Sequence, residues 1–170
     1  MYISVFQALK GHFMIRLIYS GSLVRSPSRE QVSEFLVNTR LRNQRKKISG
    51  VLILMGRNFL QVIEGPEVEI DYLYSRLVQE TQRYSLILLS RQYIREAVFH
   101  SWSLGFIDAA SHQKTLMNAD NPELRVLQEL QHIKAPDETA QHTLKLINEF
   151  INGKWQHRSQ RIQNPILLRH

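Results

Sequence analysis

The chain has 170 residues, 43% of them hydrophobic, and a formal net charge of +7 at pH 7. This length predicts one domain with an appendage, and the absence of cysteine excludes disulfides, thiolate catalysis and thiolate metal sites. The sequence contains no apolar run near the ~20 residues that a membrane span needs, so we expect a cytoplasmic protein that does not contact a membrane. The basic excess permits contact with nucleic acid or phosphate groups.

The first regular element is predicted at residues 14–20, where apolar side chains alternate with others. In a strand, this alternation places Tyr19 on the same face as Leu17. Residues 1–13 show no comparable pattern, and Met14 could itself be a start codon. We therefore treat residues 1–13 as an N-terminal extension of unknown status.

A helix is predicted after a short loop. Ser28 is its expected N-cap, with Gln31 as the capping-box partner three residues later. Apolar residues follow at helical spacing from Val32 to Leu36, and the helix is expected to fray near residues 42–43. Basic residues crowd its end, where they complement the helix dipole. A solvated helix end explains that cluster more simply than a binding role does.

The segment VLILMGRNFLQVIEG, residues 51–65, predicts a β-hairpin with a turn at residues 56–58. Gln61 lies inside the second strand and shares a face with Phe59 and Ile63. A buried primary amide needs partners for both its carbonyl and its NH2 group. Two interpretations stay open: Gln61 faces water at a strand edge, or it faces a ligand that offers donors and acceptors.

A second helix is predicted with Pro66 at its first position. Apolar residues recur at i, i+3, i+4, i+7 and i+8 across residues 70–78, a helical pattern. Two further strands are predicted at residues 85–93 and 102–107. The order strand, helix, strand, strand, helix, strand, strand favours an α+β fold. We expect a ferredoxin-like βαββαββ sheet, mostly antiparallel, with two helices on one face.

The last third of the chain is predicted to be helical after a polar linker at residues 111–120. One short helix starts at residues 121–123, and Asp137 is expected to cap a second one that stops near Gly153. We expect these two amphipathic helices to form a C-terminal helical hairpin that packs on the other face of the sheet. The predicted units are residues 1–13, 14–110, 111–153 and a basic tail at 154–170.

The sequence contains few residues arranged for catalysis or metal binding. The G-x-S-x-G, H-E-x-x-H and Walker motifs are missing, and the histidines lack ligand spacing, so neither an enzyme nor a metal site is expected. The polar and aromatic groups that remain on the predicted sheet and helix ends are Tyr19, Asn43, Gln61 and Trp102. Amides can bind an imide-like edge, and arginines such as Arg76 and Arg83 could hold a phosphate. A flavin has both features.

Two other classes share the predicted topology. An RNA-binding ferredoxin-like module would suit the basic charge, but the third strand lacks the aromatic run that stacks bases. A small acylphosphatase-like enzyme would need a phosphate-cradling loop, and none is evident. Both stay open as alternatives.

Four segments in the same order resemble the BLUF (blue-light-using flavin) photoreceptor family: RLIYSGS, RNQRKKISGVLIL, FLQVIEGP and SWSLGFI. The resemblance covers about residues 14–109. It implies a ferredoxin-like fold with a flavin held non-covalently between the two helices. FAD is the usual cofactor, with FMN or riboflavin possible. It also implies a sensor and not an enzyme. A short protein of this kind is expected to signal to a separate partner protein or by a change of homo-oligomeric state.

The resemblance also implies roles for individual residues. Tyr19 would supply an electron and a proton to the excited flavin, Gln61 would hydrogen-bond to both, and Trp102, on the fifth strand, would switch position near Gln61. The cofactor-binding set implied in this way is Ser20, Phe35, Arg42, Asn43, Phe59, Gln61, Ile63, Arg76, Leu77, Glu80 and Arg83.

Three positions depart from the family's pattern. Leu104 stands where the family often has methionine, so the step that passes the light signal out of the domain is expected to differ. Residues 80–83 depart from the D-x-R-H pattern that is frequent in the family, so the phosphate contacts are expected to differ as well. Arg42 stands before Asn43, where other members have amide or histidine side chains.

Overall fold

A computed structural model describes residues 13–80, 84–110 and 122–154, with side chains from Arg125 onward in the last range. The strands are β1 (Met14–Leu23), β2 (Ser49–Met55), β3 (Asn58–Pro66), β4 (Tyr84–Ile94) and β5 (Gly105–Asp108), and the helices are α1 (Arg29–Arg45), α2 (Glu67–Gln79), α3 (Pro122–His132) and α4 (Glu138–Ile151). The predicted linker, the N-terminal extension up to residue 12, the tail beyond Lys154, and Arg83 lie outside the described residues.

The strands form one sheet in the order β4-β1-β3-β2-β5. Neighbouring strands are antiparallel except for β2 and β5, which run parallel. β1 and β3 therefore lie at the centre, and the register of β4 against β1 shifts between Ile18 and Tyr19. This arrangement confirms the predicted α+β, ferredoxin-like fold with a mostly antiparallel sheet.

The start of α1 follows a local signal in the sequence, and its end lies later than predicted. The Ser28 side chain accepts from the backbone of Gln31, and the Gln31 side chain accepts from the backbone of Ser28, so the predicted capping box is confirmed. The helix continues to Arg45 and does not fray at residues 42–43. The next residue but one, Lys47, has a φ of 55°, in the left-handed region.

Pro66 is the N-cap of α2 and not its first helical residue, so that prediction is wrong by one position. Its φ of −58° and ψ of 131° are extended. The cause is the sheet, because Pro66 still pairs with Met14 at the end of β3. Helix α2 then begins at Glu67. The strand predicted at residues 102–107 is also shorter than expected and begins only at Gly105.

Helices cover the sheet on both faces, and each face has its own core. The Tyr19 cluster packs α1 and α2 on one face and comprises Ile15, Leu17, Tyr19, Leu36, Ile48, Leu52, Phe59, Ile63, Ile70, Leu73, Leu104 and Phe106. The hairpin cluster packs α3 and α4 on the other face and comprises Ile18, Val51, Ile53, Leu60, Val62, Val98, Phe99, Ile107, Leu127, Leu130, Ala140, Leu146, Ile147 and Phe150. Asp137 caps α4 through the backbone N–H of Ala140. Among the described residues, every helix is too short or too polar to cross a bilayer.

Candidate functional site

A tyrosine and a glutamine are hydrogen-bonded in the middle of the sheet. Tyr19 of β1 and Gln61 of β3 are directly opposite each other in the ladder, so their side chains share the face covered by α1 and α2. The Tyr19 hydroxyl donates to Oε1 of Gln61 at 2.7 Å. The two side chains are 2% and 7% exposed. Because the amide oxygen is engaged, the NH2 group of Gln61 remains for another acceptor on this face.

Aromatic rings fix the orientation of the phenol. The Tyr19 ring meets Phe59 edge-on at 6.4 Å and a tilted Tyr74 at 5.7 Å between centroids. Burial raises the pKa of Tyr19 far above its ordinary value, while the positive charge of Arg42 lowers it. The phenol therefore keeps its proton at any physiological pH in the ground state.

Asn43 brings a second amide to the same side of the sheet. It is fully buried on the inner face of α1, and its Nδ2 donates to the backbone oxygen of Ser103 at 2.8 Å. Its Oδ1 is buried and has no hydrogen-bond partner in the part of the chain that the structure describes. A buried acceptor without a donor costs free energy, so a bound group that presents an N–H would satisfy it. The imide edge of a flavin presents such a group.

The structure does not bring Trp102 to Gln61, and the expectation that it lies on the fifth strand is wrong. Trp102 precedes β5, stacks on Phe99 at 5.9 Å between ring centroids, and donates from Nε1 to Glu129 of α3 at 2.7 Å. The indole packs over Gly105, where an added Cβ would lie 2.9 Å from the ring. The tryptophan therefore packs against the hairpin cluster.

Ser20 also lies away from the pair. Ser20 was predicted to line the pocket on the same face as Tyr19, and that prediction is wrong. Adjacent strand residues point to opposite faces, so Ser20 is on the face of the hairpin cluster. Its hydroxyl donates to the backbone oxygen of Phe59 at 3.0 Å. The strand alternation was available in the sequence and would have given this result.

The other predicted residues fall into three groups. Phe59 and Ile63 are buried in the Tyr19 cluster beside Gln61, and Leu77 packs partly against it. Phe35 is 44% exposed on α1. The charged residues are exposed on or just after the two helices: Arg42, Arg76 and Glu80.

Sequence reasoning missed the way in which α1 holds the segment before β5. Arg40 donates from Nε to the backbone oxygen of Leu104 at 2.9 Å, next to the bond from Asn43 to Ser103. The Leu104 side chain, 2% exposed, belongs to the Tyr19 cluster. Leu104, and not Trp102, is thus the residue of this segment that reaches the site face. No local pattern in the sequence indicates either bond, because each joins residues about 60 positions apart.

The family model for BLUF, described as sensors of blue-light using FAD, matches residues 14–105, more than half of the chain. The chain belongs to the BLUF family. Its BLUF domain is accordingly a flavin-binding one. The Asn43 oxygen, which has no partner among the residues that the structure describes and lies on the same side of the sheet as the Tyr19–Gln61 bond, fits such a cofactor.

Two curated relatives share the BLUF segment. The blue light- and temperature-regulated antirepressor BluF of Escherichia coli (strain K12) is 24% identical over 98 residues, which are 58% of this chain and 24% of that protein. The photoactivated adenylate cyclase subunit beta-like protein FB of Euglena gracilis is 28% identical over 89 residues, which are 52% of this chain and 10% of that protein. The match thus spans about a quarter or less of each relative.

A solved structure of BlrP1 BLUF has the same fold. It aligns with a TM-score of 0.63 at 22% identity, over 82% of this chain and 90% of that one. This likeness supports the fold alone.

Proposed function

We propose that this chain is a blue-light photoreceptor that binds FAD non-covalently between α1 and α2 and uses Tyr19 and Gln61 as its photoactive pair. The observation on which this proposal depends is the buried 2.7 Å hydrogen bond between the phenol and the amide, in register at the centre of the sheet. FAD is preferred to FMN or riboflavin because the family description names it.

The side chains of the site suggest how the cofactor is held. Oδ1 of Asn43 would accept from the imide N–H of the flavin, and the NH2 group of Gln61 would donate to an acceptor on the ring. The exposed guanidinium groups of Arg42 on α1 and Arg76 on α2 would pair with phosphate oxygens. Arg83 remains a predicted contact outside the described residues.

The chemistry follows from the pair of side chains. A bound flavin would supply a strong oxidant once it absorbs blue light. Tyr19 holds its proton in the dark, because a phenol is protonated at neutral pH and burial raises its pKa further. On giving an electron to the flavin, Tyr19 would become strongly acidic and pass its proton along the bond to Oε1 of Gln61, while the NH2 group of Gln61 gives a proton to the acceptor on the flavin ring. The electron and a proton would return to Tyr19 when the flavin regains its starting form. The amide of Gln61 rotates or tautomerises in response, which exchanges the donor and acceptor that it presents to its neighbours.

The energy of this change is small. One or two hydrogen bonds differ between the two arrangements of Gln61, each worth ~0.5–1.5 kcal/mol net. The illuminated arrangement is therefore metastable and decays in the dark. A hydrogen bond added to a flavin carbonyl would shift the absorption modestly to the red.

The output of the domain is the next part of the proposal. We infer a sensor that is not itself an enzyme and that signals to a separate partner protein or through a change of homo-oligomeric state. The sensory description of the family supports this inference. The named activities of the relatives, an antirepressor and a cyclase subunit, belong to proteins that the match spans only in small part. A cytoplasmic location stays a prediction.

The test is the absorption spectrum of the purified protein before and after blue illumination. We expect a yellow protein whose bands shift to the red in light and return in the dark. Tyr19→Phe and Gln61→Leu should retain flavin and lose the shift. Tyr72→Phe, at a phenol that is 54% exposed on α2, is the matched control and should keep it. A shift that persists in Tyr19→Phe would refute the role of Tyr19. A colourless protein that binds RNA or cleaves acyl phosphates would favour an alternative class.

A further inference from the structure

A buried ion pair lies on the face of the sheet that the hairpin covers. Arg16 of β1 and Glu64 of β3 are directly opposite each other, and their side chains are 1% and 0% exposed. Nε of Arg16 donates to Oε1 of Glu64 at 2.6 Å. A buried pair of charges is stable only where further hydrogen bonds satisfy both partners. The remaining contacts of the pair therefore show which segments depend on it.

The ion pair contacts two segments that pack over it, the connection between β4 and β5 and the start of α4. Oε2 of Glu64 accepts the backbone N–H of Phe99 at 2.9 Å, in the connection between β4 and β5. Burial raises the pKa of Glu64, and that N–H and the charge of Arg16 oppose the rise. Nη1 of Arg16 donates to Oγ1 of Thr139, in the first turn of α4, at 3.2 Å. The pair thus joins the central strands to the hairpin.

The guanidinium of Arg16 already has one donor group without a described partner. Its Nη2 is buried and has no partner within the residues that the structure describes. Loss of the bond to Thr139 would leave a second donor of a buried charge unpaired, which is costly. Thr139 is fixed in turn, because its hydroxyl donates to the N-cap carboxylate of Asp137 at 2.7 Å. The position of Arg16 is therefore linked directly to the start of α4.

The same two strands hold the photoactive pair on their opposite face. Tyr19 and Gln61 lie three residues along the ladder from Arg16 and Glu64, a distance of about 10 Å. Because the antiparallel ladder fixes one pair relative to the other, a displacement of β3 against β1 at Gln61 also displaces Glu64 against Arg16.

We propose that Arg16 is a positioning residue that couples the Tyr19–Gln61 pair to the C-terminal hairpin through its hydrogen bond to Thr139. The inference rests on the photoreceptor function proposed above. In the dark, this bond holds the first turn of α4 against the sheet. After the rearrangement of Gln61, the bond weakens and the first amides of α4 open more often. The light signal leaves the domain as a change in the docking of the hairpin.

The test compares two threonine-to-valine variants of the flavin-loaded full chain. Thr139→Val removes the acceptor of Arg16 and keeps the shape of the side chain. Thr143→Val is the matched control, because that hydroxyl donates to a backbone oxygen of its own helix. Hydrogen exchange of the α4 amides is measured in the dark and under blue light, together with the red shift. In wild type and in Thr143→Val, light should accelerate exchange at the start of α4 by about two- to tenfold, the worth of one hydrogen bond.

In Thr139→Val, the red shift should be normal and the light-dependent difference in exchange should fall to less than half. Arg16→Lys, which keeps the charge beside Glu64 and lacks the second arm of the guanidinium, should lose the difference in the same way. A response of Thr139→Val equal to that of Thr143→Val would overturn the coupling, and so would a wild-type protein with a red shift and unchanged α4 exchange. A wild-type protein without any red shift would instead overturn the proposed photoreceptor function.

Discussion

Asn43→Ala tests two roles of one buried amide, a structural role of its nitrogen and a flavin-binding role of its oxygen. The substitution removes the 2.8 Å bond from Nδ2 to the backbone oxygen of Ser103, which we expect to cost the flavin-free protein about 1–2 kcal/mol of unfolding free energy. It also removes Oδ1, which has no partner within the described residues. If that oxygen accepts from the flavin, its loss should weaken flavin binding by ~0.5–1.5 kcal/mol, or about two- to tenfold in Kd.

The matched control is Arg40→Ala. Arg40 holds the adjacent backbone oxygen, that of Leu104, at 2.9 Å, so this variant loosens the same segment and leaves the Asn43 acceptor in place. Urea unfolding of the flavin-free proteins and fluorescence titration with FAD give the two quantities. Both variants should be destabilised, and only Asn43→Ala should bind FAD more than twofold more weakly. Equal losses of affinity in both variants would show that Asn43 acts only by holding the segment before β5, and the reasoning would fail.

Two further predictions concern stability. Lys47→Gly should raise the unfolding free energy by about 0.5–1 kcal/mol, because the φ of 55° at this position is strained for any residue with a Cβ. Gln44→Gly, inside the helix, should lower it by a similar amount, and urea unfolding that shows no gain for Lys47→Gly would contradict this account. The hydrogen bond from Thr139, and to a lesser extent the one from Ala140, lowers the pKa of Asp137. The ionised Asp137 carboxylate therefore stabilises the fold above the ordinary carboxyl pKa, and this stabilisation is lost as the pH falls through the lowered pKa. Asp137→Asn keeps the cap without the charge and should make α4 less sensitive to acid, as measured by amide exchange from about pH 5 to pH 3; an acid profile identical to wild type would speak against it.

Features that depend on a few neighbouring residues could be predicted from the sequence. The capping box of Ser28 and Gln31 and the Asp137 cap were correct because each involves residues within three positions of each other. The hairpin around Gln61 was correct because alternation and a glycine turn fix it locally. Once that hairpin is placed, the shared face of Gln61, Phe59 and Ile63 follows from geometry alone.

Features that depend on which distant segments meet could not be predicted. The location of Trp102 is decided by the space over Gly105 and by Glu129 on a helix that follows later in the chain. The opposition of Arg16 and Glu64 is decided by the register of β1 against β3, which no local pattern specifies. The Asn43 oxygen is recognised as lacking a partner among the described residues only when the partner of the Asn43 nitrogen is known.

The strand order has a consequence for the fidelity of the sensor. β4 and β5 are the borders of the sheet, and β1 and β3 have a hydrogen-bonded neighbour on each side. Border strands fray in small local fluctuations, whereas interior strands separate only when most of the domain unfolds. The Tyr19–Gln61 bond is therefore shielded from the thermal fraying that is commonest in a sheet. A local opening at either border of the sheet should therefore leave that bond intact.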